Sequence, residues 1–151
     1  MLFSCPVRKV NKFNKCESRA ICVTDMYVYK LDPKKSFKLM KHGIPIQEIT
    51  GVSVTPGTDS LVAIHLQGGN DLVVCLTGVS TSSGQSRAPE VVGALAQQWF
   101  KKTRRPLKVL VNNMVHCMLG NKSRAIGVQL ANVAEPIFKK DGDDLVLQTP
   151  N

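Results

Sequence analysis

Ile46-Gln47-Glu48-Ile49-Thr50-Gly51-Val52-Ser53-Val54-Thr55, Ser60-Leu61-Val62-Ala63-Ile64-His65-Leu66 and Leu72-Val73-Val74-Cys75-Leu76 are three short apolar runs, broken by Pro56-Gly57 and by Gly68-Gly69-Asn70-Asp71. Each run is strand-length and rich in β-branched residues, and each stops at residues that favour turns. The third is apolar without a break, the pattern of a central strand. Strands at this spacing with turn signals between them indicate a β-barrel or sandwich.

Four more runs lie upstream: residues 5–13, 19–24, 26–31 and 36–40. In the first, Val and Phe interleave with basic residues. The second and third flank Asp25 like a hairpin, and Tyr27 and Tyr29 alternate with Val28 and Lys30 at the period of a half-buried strand. Asp32-Pro33 ends the third, Lys34-Lys35 sits in the turn, and Gly43 closes the fourth. Downstream, Thr77 to Ser86 is rich in Gly, Ser and Thr and reads as a mobile loop. A helix is expected next, with Pro89 in its first turn and Glu90 at its positive end. Val91, Val92, Leu95, Ala96 and Trp99 form its apolar face, Gln97 and Gln98 its polar one, and Pro106 prevents continuation. Residues 107–111, 115–119, 125–130 and 145–147 look like further strands, with Asp141-Gly142-Asp143-Asp144 as a turn. Residues 1–104 are expected to form a barrel and its closing helix, and residues 105–151 a strand extension packed on the same domain.

The chain has 151 residues, a net charge of +9 and 43% hydrophobic residues, enough for one sizeable core. No apolar run approaches the roughly 20 residues of a spanning helix. The five cysteines are odd in number and contain no CxxC pair, so a disulfide framework or a structural zinc site is not indicated. This is the expectation for a soluble, basic, intracellular domain with reduced cysteines.

The charge is segregated. Residues 1–42 carry +7, through Arg8, Lys9, Lys12, Lys15, Arg19, Lys30, Lys34, Lys35, Lys38 and Lys41 against Glu17, Asp25 and Asp32. Residues 43–100 carry −3, while Lys101, Lys102, Arg104, Arg105 and Lys108 form a second cluster of +5. A solvated face would explain the charge, but solubility alone does not require it to be confined to two stretches. The sharper reading is a footprint for a polyanion, either nucleic acid or an anionic membrane. Aromatic residues are only 5% of the chain, which leaves nucleic acid without a stacking platform.

Catalytic signatures are not found. There is no GxxxxGK[ST] phosphate loop, no GxSxG, no HExxH and no paired Cys/His nucleophile. No cofactor is expected, and enzyme is the least supported class.

Seven strands followed by a closing helix is the order of a pleckstrin-homology fold. Pro6-Val7-Arg8-Lys9-Val10-Asn11-Lys12-Phe13, Val23-Thr24-Asp25, Tyr29-Lys30-Leu31-Asp32-Pro33-Lys34-Lys35, Ile49-Thr50-Gly51-Val52-Ser53-Val54 and Asp71 to Leu76 together resemble the tail-homology-1 domain of class I myosins. The likeness runs through nearly the whole chain and is closest to the short-tailed class ID group. It implies a mainly β, pleckstrin-homology-like seven-stranded barrel closed by one helix, with extra C-terminal strands. It further implies the membrane-anchoring tail of a single-headed actin motor, cytoplasmic and peripheral at the plasma membrane, endosomes or cell cortex. The tail would bind anionic phospholipids, including phosphoinositides. The actin-activated ATPase and the calmodulin-binding neck would lie upstream, so actin and calmodulin are expected only through those absent parts.

The family's phosphoinositide signature maps onto Lys12, which precedes Phe13-Asn14-Lys15, and onto Arg19, which precedes Ala20-Ile21-Cys22-Val23. Glu17 stands where the wider pleckstrin pattern prefers a base, which weighs against stereospecific headgroup recognition and leaves charge-driven binding. Independently of the family, a phosphate needs donors and positive charge from neighbouring strands, and Lys12 and Arg19 are expected to face each other across one hairpin. Lys9, Lys15, Lys30, Lys34, Lys35, Lys38 and Lys41 would support them as a basic face. The competing reading is a protein-interaction module that binds cargo or adaptor proteins by adding a strand between the helix and an exposed sheet edge.

Overall fold

Leu61–Leu66 (β6) and Leu72–Leu76 (β7) lie in the middle of an eight-stranded sheet and are covered on both faces. Val62, Ile64, Leu72, Val74 and Leu76 point into one apolar core, and Leu61, Ala63, Val73 and Cys75 into a second. Side chains alternate across a strand, so burial on both sides requires an unbroken apolar run. That is the physical reason the sequence here lacks polar alternation.

The computed structural model describes residues 2–36, 38–57, 60–77 and 86–150, with the backbone alone at 39–41. Residues 78–85, the core of the expected Gly/Ser/Thr-rich loop, lie outside the described residues. The remaining strands before the helix are β1 (Phe3–Val10), β2 (Cys16–Val23), β3 (Tyr27–Asp32), β4 (Lys38–Pro45) and β5 (Ile49–Val54). Short 3-10 turns at Pro33–Lys35 and Ile46–Glu48 precede β4 and β5. The helix, α1, spans Ala88–Thr103. After it come β8 (Val109–Val111), β9 (Val115–Leu119), β10 (Lys122–Ala131), β11 (Ile137–Asp141) and β12 (Asp144–Pro150).

The strand order of the large sheet is β4-β3-β2-β1-β7-β6-β5-β8, and a second sheet runs β11-β12-β10-β9. Seven strands before one helix agree with the sequence reading, but the closed barrel does not. Among the described residues β4 and β8 end the large sheet at opposite edges, and β4 does not pair with β5. Among the described residues the architecture is thus mainly β, with two sheets and one helix. In place of a closed barrel, α1 covers one face and the four-stranded sheet supplies Val115, Cys117, Leu119, Ile126, Phe138, Leu145 and Leu147 over the other.

Several boundaries shift for identifiable reasons. The first strand stops at Val10 instead of Phe13, because Asn11 nucleates a turn: its Oδ1 accepts from the N–H of Phe13 (2.9 Å) and of Lys15 (3.0 Å). Gly43 does not end β4. It lies inside the strand, where a Cβ would come within 2.6 Å of the Tyr29 ring. Gln98 is not on the solvent face of α1. It is buried with Val91 and Leu95, at the i, i+4, i+7 spacing of one face. Helix α1 begins with a cross-tie: Arg87 donates from Nη1 to the Ser4 carbonyl (2.8 Å), pairs with Glu90 and stacks 4.4 Å over Phe3.

Candidate functional site

The antiparallel registers Val10↔Cys16, Asp32↔Lys38 and Val10↔Val73 bring three connections to one end of the large sheet. These are the β1–β2 turn, the β3–β4 connection and the β6–β7 turn. Lys9, Asn11, Lys12, Phe13, Glu17, Arg19, Lys30 and Asn70 line a cleft of about 220 Å³ there. Four sequence-predicted residues, Lys9, Lys12, Arg19 and Lys30, therefore meet.

Each wall has a local cause. Besides bonding Phe13 and Lys15, Asn11 donates from Nδ2 to Glu17 Oε1 (2.9 Å), tying the turn to β2. Asn14 adopts the left-handed conformation (φ 63°) that lets the chain reverse in so few residues. The stem of Lys12 packs on Gly120 in the β9–β10 turn, where an added Cβ would stand 3.3 Å from the Lys12 Cβ. Gly120 N–H donates to Asn70 Oδ1 (2.9 Å), so the second sheet buttresses the cleft. Asp32 caps the following 3-10 turn by accepting from Lys34 N–H (3.0 Å), with Pro33 in the first position.

Arg19 departs from the expected arrangement. It sits opposite Val7 in mid-strand and does not face Lys12 across the hairpin. Its guanidinium pairs with Glu17, lies 3.9 Å from Asp32 Oδ1 and donates to the Ser18 carbonyl (2.8 Å). Two carboxylates thus offset its charge, and its side chain is only 16% exposed. Lys12, Lys15, Lys34, Lys35 and Lys38 are exposed around the cleft. The side chain of Lys41 lies outside the described residues.

The second cluster does not line this cleft. Lys101 and Lys102 occupy the last turn of α1, Arg104 is its left-handed cap (φ 60°), and Arg105 and Lys108 follow, all exposed. The Lys108 carbonyl accepts from Val52 N–H (2.9 Å), which fixes this stretch beside β5 and starts β8 in parallel with it.

Sequence reading missed a line of polar groups between the sheets. Ser53 Oγ lies 2.6 Å from His65 Nε2, and His65 Nδ1 lies 2.8 Å from Asp71 Oδ2. The Asp71 carboxylate also accepts from Leu66 N–H (3.1 Å) and Met118 N–H (2.9 Å). An ionised carboxylate only accepts, so Nδ1 donates to Asp71, and Nε2 stands within hydrogen-bond distance of the Ser53 hydroxyl. Burial alone would raise the Asp71 pKa, but the bonds from His65, Met118 and Leu66 outweigh it and hold the carboxyl below its ordinary 3.8. Ser53 is 6% exposed, so this line reads as a cross-tie from β5 and β6 to β9. Its signal in the sequence was the pairing of a polar His65 and Asp71 with otherwise apolar strands.

The class of molecule defined so far is a β-rich binding module with a built basic end. A family model described as "Unconventional myosin tail, actin- and lipid-binding" matches residues 1–149. Over 151 residues, 99% of this chain, it is 44% identical to unconventional myosin-Id of Homo sapiens and of Canis lupus familiaris. It is 38% identical over 152 residues to unconventional myosin ID of Drosophila melanogaster. The chain belongs to the unconventional myosin tail family, and spans about 15% of the length of these relatives. The family description names actin binding for the tail, where the sequence reading had placed actin only on the motor.

Proposed function

We propose that this chain anchors a class I myosin to membranes by binding anionic phospholipids at the end of the large sheet. The observation that carries the reading is the convergence of Lys9, Lys12, Arg19 and Lys30 on one cleft, ringed by exposed Lys15, Lys34, Lys35 and Lys38. Basic residues near an anionic leaflet contribute about 1 kcal/mol each, so four or five acting together give salt-sensitive adhesion. Phosphoinositides are bound as dense negative charge, with Lys12 as the principal contact. Arg19, shared with Glu17 and Asp32, shapes the cleft more than it grips a phosphate. The whole protein would link an actin motor to the plasma membrane, endosomes or cortex from the cytoplasmic side. The pleckstrin-homology-like reading is supported by seven strands before one helix. The view of residues 1–104 and 105–151 as one unit is supported by β8 pairing with β5 and by the shared core beneath β6 and β7.

Co-sedimentation with neutral, phosphatidylserine and phosphoinositide vesicles across a salt series tests this. Wild type is expected to bind only anionic vesicles, less so with added salt, and Lys12→Ala/Arg19→Ala to bind less. Absence of binding to any vesicle at low salt overturns the reading.

A second reading is favoured by an apolar groove of about 440 Å³ between the start of α1 and the β5–β8 edge, lined in part by Val54, Pro89, Val92 and Val111. A cargo or adaptor peptide adding a strand there would pair with β8, since β8 already takes the edge of β5. Such binding would survive the Lys12/Arg19 double substitution.

A further inference from the structure

Phe13 is 70% exposed, more than any other large apolar side chain among the described residues. A single exposed apolar residue is ordinarily unremarked. Here position, rigidity and neighbours set it apart. Phe13 sits in the β1–β2 turn and lines the basic cleft, with Lys12 Nζ 5.3 Å from its ring centroid and exposed Lys15 two residues on. Leu2 and Met26, also exposed, lie at the opposite end of the sheet, beside Val23 and in the β2–β3 turn.

The turn that carries Phe13 is held from both sides. Asn11 bonds the N–H of Phe13 and Lys15 and reaches Glu17, the Asn11 N–H donates to the Lys15 carbonyl (2.9 Å), and Asn14 N–H donates to the Asn11 carbonyl (3.0 Å). An aromatic ring presented on such a turn loses little conformational freedom when buried.

We propose that Phe13 is a wedge that enters the acyl–headgroup boundary of an anionic bilayer while Lys12 and Lys15 contact the headgroups. The proposal rests on the lipid reading above and adds to it an apolar component that salt does not screen. Moving a Phe ring from water into an apolar phase is worth roughly 10- to 100-fold in partition when burial is complete. Shallow insertion should give about tenfold by the same scale.

The test uses phosphatidylserine vesicles and four variants. Phe13→Ala is expected to reduce vesicle binding about tenfold at every salt concentration, with Phe13→Leu restoring most of it. The deficit of Lys12→Ala should instead shrink as salt rises. Phe13→Trp, read against the wild-type emission of Trp99, should shift to the blue on mixing with vesicles and be quenched by brominated acyl chains. Trp emission that stays unshifted and unquenched while the protein still sediments with vesicles overturns the wedge and leaves the basic face standing. Equal binding by wild type and Phe13→Ala does the same. Absence of wild-type sedimentation overturns both readings. Circular dichroism melts should coincide for wild type and all Phe13 variants, because the ring is outside both cores.

Discussion

Residues 1–42 and residues 101–108 carry +7 and +5 by count, yet the fold uses these charges differently. In the first stretch both arginines are tied into the molecule. Arg8 donates to Ser18 Oγ and to the Pro136 carbonyl and lies 3.4 Å from Glu135, while Arg19 is held by Glu17 and Asp32. Of the lysines, Lys12 and Lys15 sit in the β1–β2 turn and Lys34 and Lys35 in the β3–β4 connection, while Lys9, Lys12 and Lys30 line the cleft. In the second stretch all five bases are exposed along one helix end and the segment after it. The difference teaches that charge counted along a chain is not charge offered to a partner: arginines on strands were recruited as internal ties, lysines on turns were left outward.

The largest expected effect concerns what supports the first region. Asp71→Ala removes the acceptor for His65, Leu66 and Met118 between the sheets, and should destabilise by about 3 kcal/mol, read as a lowered urea midpoint. The folded Asp71 carboxyl titrates below 3.8, so its stabilisation is complete above that value and lost as pH falls through the lower folded value. The acid limb of the wild-type stability profile should flatten in Asp71→Asn.

Next in size is a direct contrast between the clusters. Lys12→Ala/Lys15→Ala/Lys34→Ala should weaken binding to phosphatidylserine vesicles on the order of 100-fold at low salt, from about 1 kcal/mol per residue. Lys101→Ala/Lys102→Ala/Arg105→Ala should cost less than about tenfold on the same scale. Equal losses would break the contrast and make the membrane footprint span both clusters.

Smaller effects sharpen it within the cleft. Arg19→Ala leaves Glu17 and Asp32 without their shared partner, so it should lower the melting temperature more than Lys12→Ala does, yet reduce vesicle binding less. Glu17→Gln removes a negative wall and should raise low-salt binding by roughly fivefold or less, about one basic residue's worth, with the gain fading as salt rises.

Local chemistry sufficed for much of this protein. The unbroken Leu72–Leu76 run announced a strand covered on both faces, Pro89 the start of the helix, and Asp141-Gly142 a turn, because each signal lies within a few residues. Ile137–Asp141 was not legible as a strand, since only Phe138 in it is buried and no alternation shows. Lys9, Lys12 and Lys30 could be nominated from charge and resemblance, but their meeting depends on the register of β1, β2 and β3.

By itself, the sequence determined the strand count before the helix, the family and the segregation of positive charge, all of which follow from neighbouring residues. The tertiary structure alone decided that the large sheet stays open and that a second sheet covers it. It also decided that Arg19 is neutralised by Glu17 and Asp32, and that Gln98 is buried. Those outcomes turn on which groups meet across strands distant in sequence, and no local periodicity encodes that.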